Sequence, residues 1–201
     1  MVTGGDLSSP PLRGLTPQPR AASNEFEARA WALLDEVRDP EIPSVSIVDL
    51  GIVRDVRASD VASVEVSLTP TYSGCPAIET IEHDAGAALQ PTFAQVTVRS
   101  VLSPAWSSDF ITPRGHARML AAGIAPPAPT GSATFAHAAR ALGTMGSALP
   151  LLAQPAVQAD PACPRCGARE VERIAQFGTT SCKSLWRCCA CREPFDHFKA
   201  H

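Results

Sequence analysis

Apolar residues recur at one-face helical spacing at Phe26, Ala30, Leu33, Leu34 and Val37, directly after an Asn24 to Glu27 capping-box pattern. They predict a first helix that runs to Arg38–Asp39, where Pro40 stops it. The pattern then changes period. Ile52 to Arg57 and Val64 to Leu68 read as paired strands, the second alternating Val64, Val66 and Leu68 against Glu65 and Ser67. Ala58-Ser-Asp60 turns the chain between them. Helical spacing returns at Ile78, Ile81, Ala85, Ala88 and Leu89 and closes at Pro91, and a third strand follows through Val96 and Val98. Thr112 and Pro113 match an N-cap and first helical position, with Gly123 at the expected stop. The order helix, strand, strand, helix, strand, helix predicts an α+β fold: a small mixed sheet with covering helices.

Breaker-rich stretches divide the chain. Residues 1–23 are rich in Pro, Gly and Ser with no apolar period, so they cannot offset the entropy of ordering and read as a flexible tail. Residues 24–127 hold the α/β domain. Residues 128–160 shift to Ala, Pro, Gly and Ser and read as a linker, with room for a short helix at Phe135 to Leu142. The two halves are expected to be tethered rather than fused.

Cysteine spacing gives the last segment, 161–201, a different character. Cys163-Pro-Arg-Cys166 is followed, after a gap of 21 residues, by Cys188-Cys189-Ala-Cys191. Two Cys-x-x-Cys knuckles can set four thiolates at the corners of a tetrahedron, as zinc requires of a closed structural site. A segment of roughly 40 residues buries too little apolar surface to fold alone, so the metal supplies the missing free energy. The expectation is a zinc-ribbon-like domain held by Cys163, Cys166, Cys188 and Cys191. Cys182 and Cys189 leave six thiols for four positions, and Cys182 could replace one ligand or bind a different metal. Trp186 and Phe195 are expected to form the small core around the metal, and Phe198 could join them. A disulfide scaffold would need an oxidising compartment, to which the N-terminal residues offer no route.

Charge and composition narrow the function classes. A formal net charge of -3 over 201 residues argues against a dedicated nucleic-acid protein, although the last segment is locally basic. No stretch is apolar over the ~20 residues a membrane span needs, and the cytoplasm is the expected compartment. Walker-type phosphate loops, dinucleotide fingerprints and a Cys–His pairing for acyl-enzyme chemistry are absent from the sequence.

Cys75 is the sharpest residue of the first domain. With Pro76 at the first helical position, Cys75 reads as an N-cap, where exposed N–H groups and the helix dipole favour a thiolate. Such a sulfur is a nucleophile or a metal ligand; the plain alternative is a small residue that packs. Asp39, Glu41 and Asp49 lie in an acidic, proline-bearing loop that could supply hard ligands near it, or could simply be exposed. Trp106, Phe110 and Ile111 are either partner anchors or a hydrophobic staple for the helix that follows.

These residues carry a resemblance. Leu33-Leu-Asp-Glu-Val-Arg-Asp-Pro-Glu-Ile-Pro43, Val48-Asp-Leu-Gly-Ile-Val53 and Gly74-Cys-Pro76 are similar to the small domain of cytosolic iron-sulfur cluster assembly factors. Ser103-Pro-Ala-Trp-Ser-Ser-Asp-Phe-Ile-Thr-Pro113, Gly123-Ile-Ala-Pro-Pro127 and Phe177-Gly-Thr-Thr-Ser-Cys-Lys-Ser-Leu-Trp-Arg-Cys188, running on to Lys199, narrow it. They resemble the D-subunit family of the bacterial phenylacetyl-CoA 1,2-epoxidase system. The resemblance implies a non-catalytic accessory subunit that matures or inserts iron or iron-sulfur centres during aerobic phenylacetate degradation. Cys75 would then be the transient iron or cluster ligand, with Asp39 and Glu41 as the acidic motif beside it. Partners would be protein subunits of the epoxidase complex or iron-sulfur assembly factors. The other reading is a docking module whose ribbon contacts protein or nucleic acid.

Overall fold

The computed structural model describes residues 21–128 and 160–200. Most of the expected tail and linker, including the Phe135 to Leu142 helix, lies outside them. The first half runs α1 (Glu25–Asp35), β1 (Val53–Arg57), β2 (Ser63–Leu68), α2 (Ile78–Leu89), β3 (Gln95–Ser100) and α3 (Pro113–Ala121), with a short 3-10 turn at Ser108–Phe110 before α3. The fold is α+β, with the helix and strand order that the hydrophobic pattern predicts.

Local chemistry sets the helix starts. The Asn24 side chain accepts from the Glu27 amide at 2.9 Å, and the Glu27 carboxylate accepts from the Ser23 amide at 2.7 Å, one residue short of the reciprocal box. Thr112 caps α3 by accepting from the Gly115 amide at 3.0 Å, with Pro113 behind it. The first helix is shorter than expected, ending at Asp35. The chain then turns so that Arg38 bridges Ser46, and the Asp39 amide donates to the Val45 carbonyl at 3.0 Å. The proline-bearing loop is thus a structured hairpin whose Ile42, Val45 and Ile47 enter the core.

β1 and β2 pair antiparallel, with an irregularity between Val53 and Asp55, while β2 and β3 pair parallel across the α2 crossover. Ala30 and Leu34 of α1 and Ile81, Ala85 and Leu89 of α2 close over Val53, Val64, Val66 and Leu68, all nearly inaccessible to solvent. Each fully buried aliphatic side chain contributes about 1.5–3 kcal/mol, which is why these positions tolerate little change.

β4 (Ile124–Ala125), β5 (Val171–Ala175), β6 (Lys183–Cys188) and β7 (Pro194–Phe198) form a second sheet in the order β4-β7-β6-β5. Its composition corrects the expectation of two tethered halves. β4 follows α3 in the first half, yet it pairs in parallel with β7, setting Ile124 opposite Asp196 and Ala125 opposite His197. Phe198 and Cys182 are buried in the large core of the first half, whereas Ala125 belongs to the small core with Trp186 and Phe195. Phe198, which could have joined the metal core, packs in the large core instead. It meets Trp106 edge-on, ring centroids 6.0 Å apart.

Trp106 is itself buried, its indole N–H donating to the Leu50 carbonyl at 2.9 Å, so the aromatic segment packs and is not a free anchor. Gly51 lets that segment approach: it sits at φ +66°, and a Cβ there would collide with the Phe110 carbonyl. No helix among the described residues is long and apolar enough to cross a membrane.

Candidate metal centres

In the ribbon, the structure brings Cys163, Cys166, Cys188 and Cys191 together, with all four sulfurs within 4.8 Å of one another. The Cys163 and Cys191 sulfurs are 3.8 Å apart and those of Cys166 and Cys188 3.5 Å. A tetrahedral zinc with Zn–S bonds of about 2.3 Å needs sulfurs about 3.8 Å apart, so the quartet fits the ion with little movement.

Two tight turns build it. The Gly167 amide donates to the Cys163 carbonyl at 2.9 Å, and the Arg192 amide to the Cys188 carbonyl at 3.0 Å. The residues closing these turns, Gly167 and Arg192, both take positive φ. The Cys191 amide points at the Cys188 sulfur, 3.4 Å away, and is the main reason that the thiol falls to about 6. Cys191 behaves oppositely. The Glu193 amide lowers it, but burial and the Cys188, Cys166 and Cys163 sulfurs raise it to about 12. Four clustered thiols cannot all ionise without a cation among them, and the sulfur spacing suits zinc.

Cys189 is exposed and stands outside the quartet. Cys182 is outside it as well, buried on the side of the ribbon that meets the first half. Its sulfur lies 3.1 Å from Glu41 Oε2 and 3.0 Å from Thr180 Oγ1. The adjacent Lys183 sends its Nζ to within 3.3 Å of the Glu41 carbonyl and 3.6 Å of Asp196 Oδ2.

Cys75 occupies the turn between β2 and α2, half-buried against the large core. Its expected role as N-cap is not what forms. Helix α2 starts at Ile78 with Ala77 as its cap, and the Cys75 amide donates back to the Tyr72 carbonyl at 3.2 Å. The expected thiolate is reversed too. Burial raises the Cys75 thiol above its ordinary value, and the charges of Glu41 and Asp39 raise it further against the lowering effect of the Ala77 and Ile78 amides. Tyr72 is likewise raised, first by burial and then by the charges of Cys75, Glu41 and Cys182. Both carboxylates and both thiols thus act on one small region.

The acidic loop divides in its duties. Asp39 is buried and accepts from the Glu41 and Ile42 amides at 2.9 and 2.8 Å, so it shapes the turn that presents Glu41. Burial raises its carboxyl in spite of those bonds. Asp49 has a different role from the one expected. Fully buried, it takes Arg114 at 2.7 Å, Arg118 at 2.6 Å and the Thr112 hydroxyl at 3.0 Å, tying α3 to the loop before β1. Gly115 makes room for this, since a Cβ there would lie 2.7 Å from the Asp49 carbonyl. Among the described residues, only the ribbon quartet gathers three or more metal-ligating side chains within 4.8 Å.

The chain thus joins an α/β domain of the iron-sulfur-assembly type, which carries the half-buried Cys75, to a four-cysteine ribbon that fits zinc. The family described as iron-sulfur cluster assembly protein matches residues 27–102, and that described as PaaD zinc beta ribbon domain matches residues 150–199. The putative D subunit of the 1,2-phenylacetyl-CoA epoxidase of Escherichia coli K12 is 43% identical over 173 residues, covering 84% of this chain and 90% of the relative. The chain belongs to the family of phenylacetyl-CoA epoxidase D subunits.

Two solved structures are also similar. A Bacillus anthracis domain of unknown function, DUF59, is 32% identical with a TM-score of 0.44, covering 47% of this chain and 91% of its own. A Mycobacterium tuberculosis protein associated with Fe-S complex assembly and repair is 27% identical with a TM-score of 0.29, covering 51% and 95%.

Proposed function

We propose that this chain is a non-catalytic accessory subunit of a phenylacetyl-CoA epoxidase system. It matures or inserts iron or iron-sulfur centres in that complex during aerobic phenylacetate breakdown, in the cytoplasm, in contact with the epoxidase subunits or with assembly factors. The observation that carries this reading is the contrast between its two cysteine environments. The ribbon quartet is closed and suits a structural zinc that stays. Cys75 is half-buried within reach of the charges of Glu41 and Asp39 and is not part of the thiol quartet, which suits a cargo that is taken up and handed on.

In this reading Cys75 holds the cargo iron or cluster through its sulfur after giving up its proton. Glu41 offers a carboxylate oxygen, and Asp39 fixes the turn that presents it. The ribbon is the surface by which the α/β unit finds its client. The sequence carries no Glu-x-x-His motif of the kind that binds a di-iron centre, in keeping with a role in service of the oxygenase.

Reconstitution tests the reading. Cys75→Ser should leave the chain folded with its ribbon zinc, and should lower both the iron or labile sulfide of anaerobically purified protein and the activity of the epoxidase matured with it. Unchanged iron and unchanged activity would reject it. A pure docking module, to which the packing of Cys75 against the core lends some support, predicts zinc alone in the wild type.

A further inference from the structure

The ribbon carries six cysteines, of which the quartet uses four and Cys189 faces solvent. That leaves Cys182. A buried thiol with only a packing role would be surrounded by apolar atoms, but this one points its sulfur at a carboxylate of the other half of the molecule. Cys182 is 3% exposed, and Glu41 is its nearest charged partner at 3.1 Å.

We propose that Cys182 completes the Cys75 centre. The cargo site is composite, built from Cys75 and Glu41 of the α/β unit and Cys182 of the ribbon, and it takes a divalent ion of the iron(II) class. The inference rests on the cargo-binding role proposed for Cys75 and adds to it a second sulfur from the other half.

Three observations support it. The two halves meet close to the site: β4 pairs with β7, Trp106 meets Phe198, and Lys183 donates to the backbone carbonyl of Glu41 itself. Cys182 is thereby held at the Glu41 side chain. Tyr72, whose carbonyl accepts from the Cys75 amide at 3.2 Å, hydrogen-bonds the side chain of Ser181 next to Cys182, and both Tyr72 and Cys75 pack against the core that contains Cys182, so the turn bearing Cys75 meets the ribbon at that thiol. Finally, Asp39 is engaged by two backbone amides while Glu41 turns toward the sulfur, leaving a ligand set of two thiolates and one carboxylate. Such a mixed set suits borderline ions such as iron(II) and leaves coordination positions open for transfer.

The charge balance is simple. Without an ion both thiols keep their protons, and the Cys182 S–H donates to the Glu41 carboxylate. A divalent ion enters, two S–H protons leave to solvent, two metal–sulfur bonds form, and Glu41 exchanges a hydrogen bond for a metal bond. No oxidant or reductant is needed. Because these side chains are not gathered as closely as the quartet, they close on the ion as it binds, which keeps the site exchangeable.

Cobalt(II) is a suitable probe, since its thiolate charge-transfer absorption grows with the number of bound sulfurs. The full chain, its ribbon filled with zinc, is titrated anaerobically with cobalt(II). Wild type should bind one cobalt with the intensity of two thiolates. Cys75→Ser and Cys182→Ser should each leave about half that intensity, one sulfur remaining, and weaken binding by at least about 10-fold. Glu41→Gln should weaken binding with the intensity retained. Zinc content reports that the ribbon is folded in every variant. Should Cys182→Ser lose zinc, Cys182→Ala replaces it, placing no new hydroxyl beside Glu41. Loss of the cobalt signal in the Cys75 variant with an unchanged Cys182 variant overturns the composite centre and leaves the Cys75 reading standing. A wild type that binds no cobalt beyond the zinc overturns both.

Discussion

The Cys182 thiol donates to the Glu41 carboxylate at 3.1 Å, across 141 positions of sequence. Burial first, and then Glu41 and Asp39, push this thiol up to about 12 against the lowering effect of Thr180. In protein whose ribbon is filled with zinc and which carries no other metal, Cys182 should therefore resist alkylation at pH 8 while exposed Cys189 reacts. Glu41→Gln removes the negative charge while keeping an acceptor oxygen, so the thiol should ionise at lower pH and react faster. Burial remains the largest cause and should keep it above the ordinary value of about 8.5. Alkylation rates followed by peptide mass spectrometry across pH 7 to 10 provide the check; a Cys182 as reactive as Cys189 would contradict its burial.

Trp106 joins the halves through its hydrogen bond to Leu50 and its edge contact with Phe198. Trp106→Ala should cost about 3–5 kcal/mol of stability, more than the loss of the ring contact alone. The ribbon should also loosen from the α/β unit while keeping its zinc. Hydrogen exchange resolved by segment should show lost protection at β4 and β7 but not around the quartet. Unaltered protection at β4 would show that strand pairing holds the halves without the tryptophan.

Asp49 is a stability residue. Replacing it with Asn removes the charge that Arg114 and Arg118 share, and should cost about 1–3 kcal/mol. The lower end of that range is expected, because both arginines are partly exposed and are solvated once released. Although burial alone would raise its carboxyl, hydrogen bonds from Arg114, Thr112 and Arg118 bring it below the ordinary value. Its folded value is depressed, so its contribution is full above the unfolded value of about 3.9 and is lost as pH falls below that. Denaturant titrations at pH 7 and pH 3 should find wild type and variant converging at the lower pH, with metal content at pH 7 equal.

His197 gives the protein a sensitivity at milder acidity. Burial lowers it to about 4, with Asp160 acting weakly in the other direction, and its ring lies edge-on to Trp186 in the ribbon. The unfolded chain takes up a proton near pH 6.5 while the folded chain does not, so stability is complete above that pH and declines as pH falls toward 4. The loss approaches about 3 kcal/mol once the folded value is reached. His197→Gln should flatten the fall in stability between pH 6.5 and 4, measured by chemical denaturation at fixed zinc. An identical slope in the variant would assign the acid sensitivity to the zinc thiolates.

What the sequence revealed depended on the range of the interaction. The Asn24 and Thr112 caps, the alternation of β2 and the apolar face of α2 are local patterns, and each marks an element that forms. The quartet was legible because zinc geometry constrains the spacing within each knuckle. Cys75 shows where local reading fails: Pro76 imitates a first helical residue, yet α2 starts only at Ile78, and burial with the charges of Glu41 and Asp39 outweighs the Ala77 and Ile78 amides that do reach the sulfur. Asp49 looked like Asp39 and Glu41 because all three share a loop, and only the packing of α3 sends it to two arginines. Nothing in the spacing links Cys182 to Glu41, or Phe198 to Trp106. Those contacts depend on how the ribbon meets the α/β unit, and the clue was only negative: a fifth and a sixth thiol that the zinc did not need.

The second sheet ends differently on its two sides. On β5, Glu172 and Arg173 place charge along the outer strand, a common defence against pairing with a neighbouring chain. β7 begins with Pro194 and carries Asp196, and along Asp196 and His197 its edge is covered by the two residues of β4. The short strand left over at the end of the α/β unit is therefore a guard for its neighbour. A ribbon produced without residues 124–125 would leave the β7 backbone unpaired at Asp196 and His197, and pairing of that edge with another copy would be the first consequence of separating the two halves.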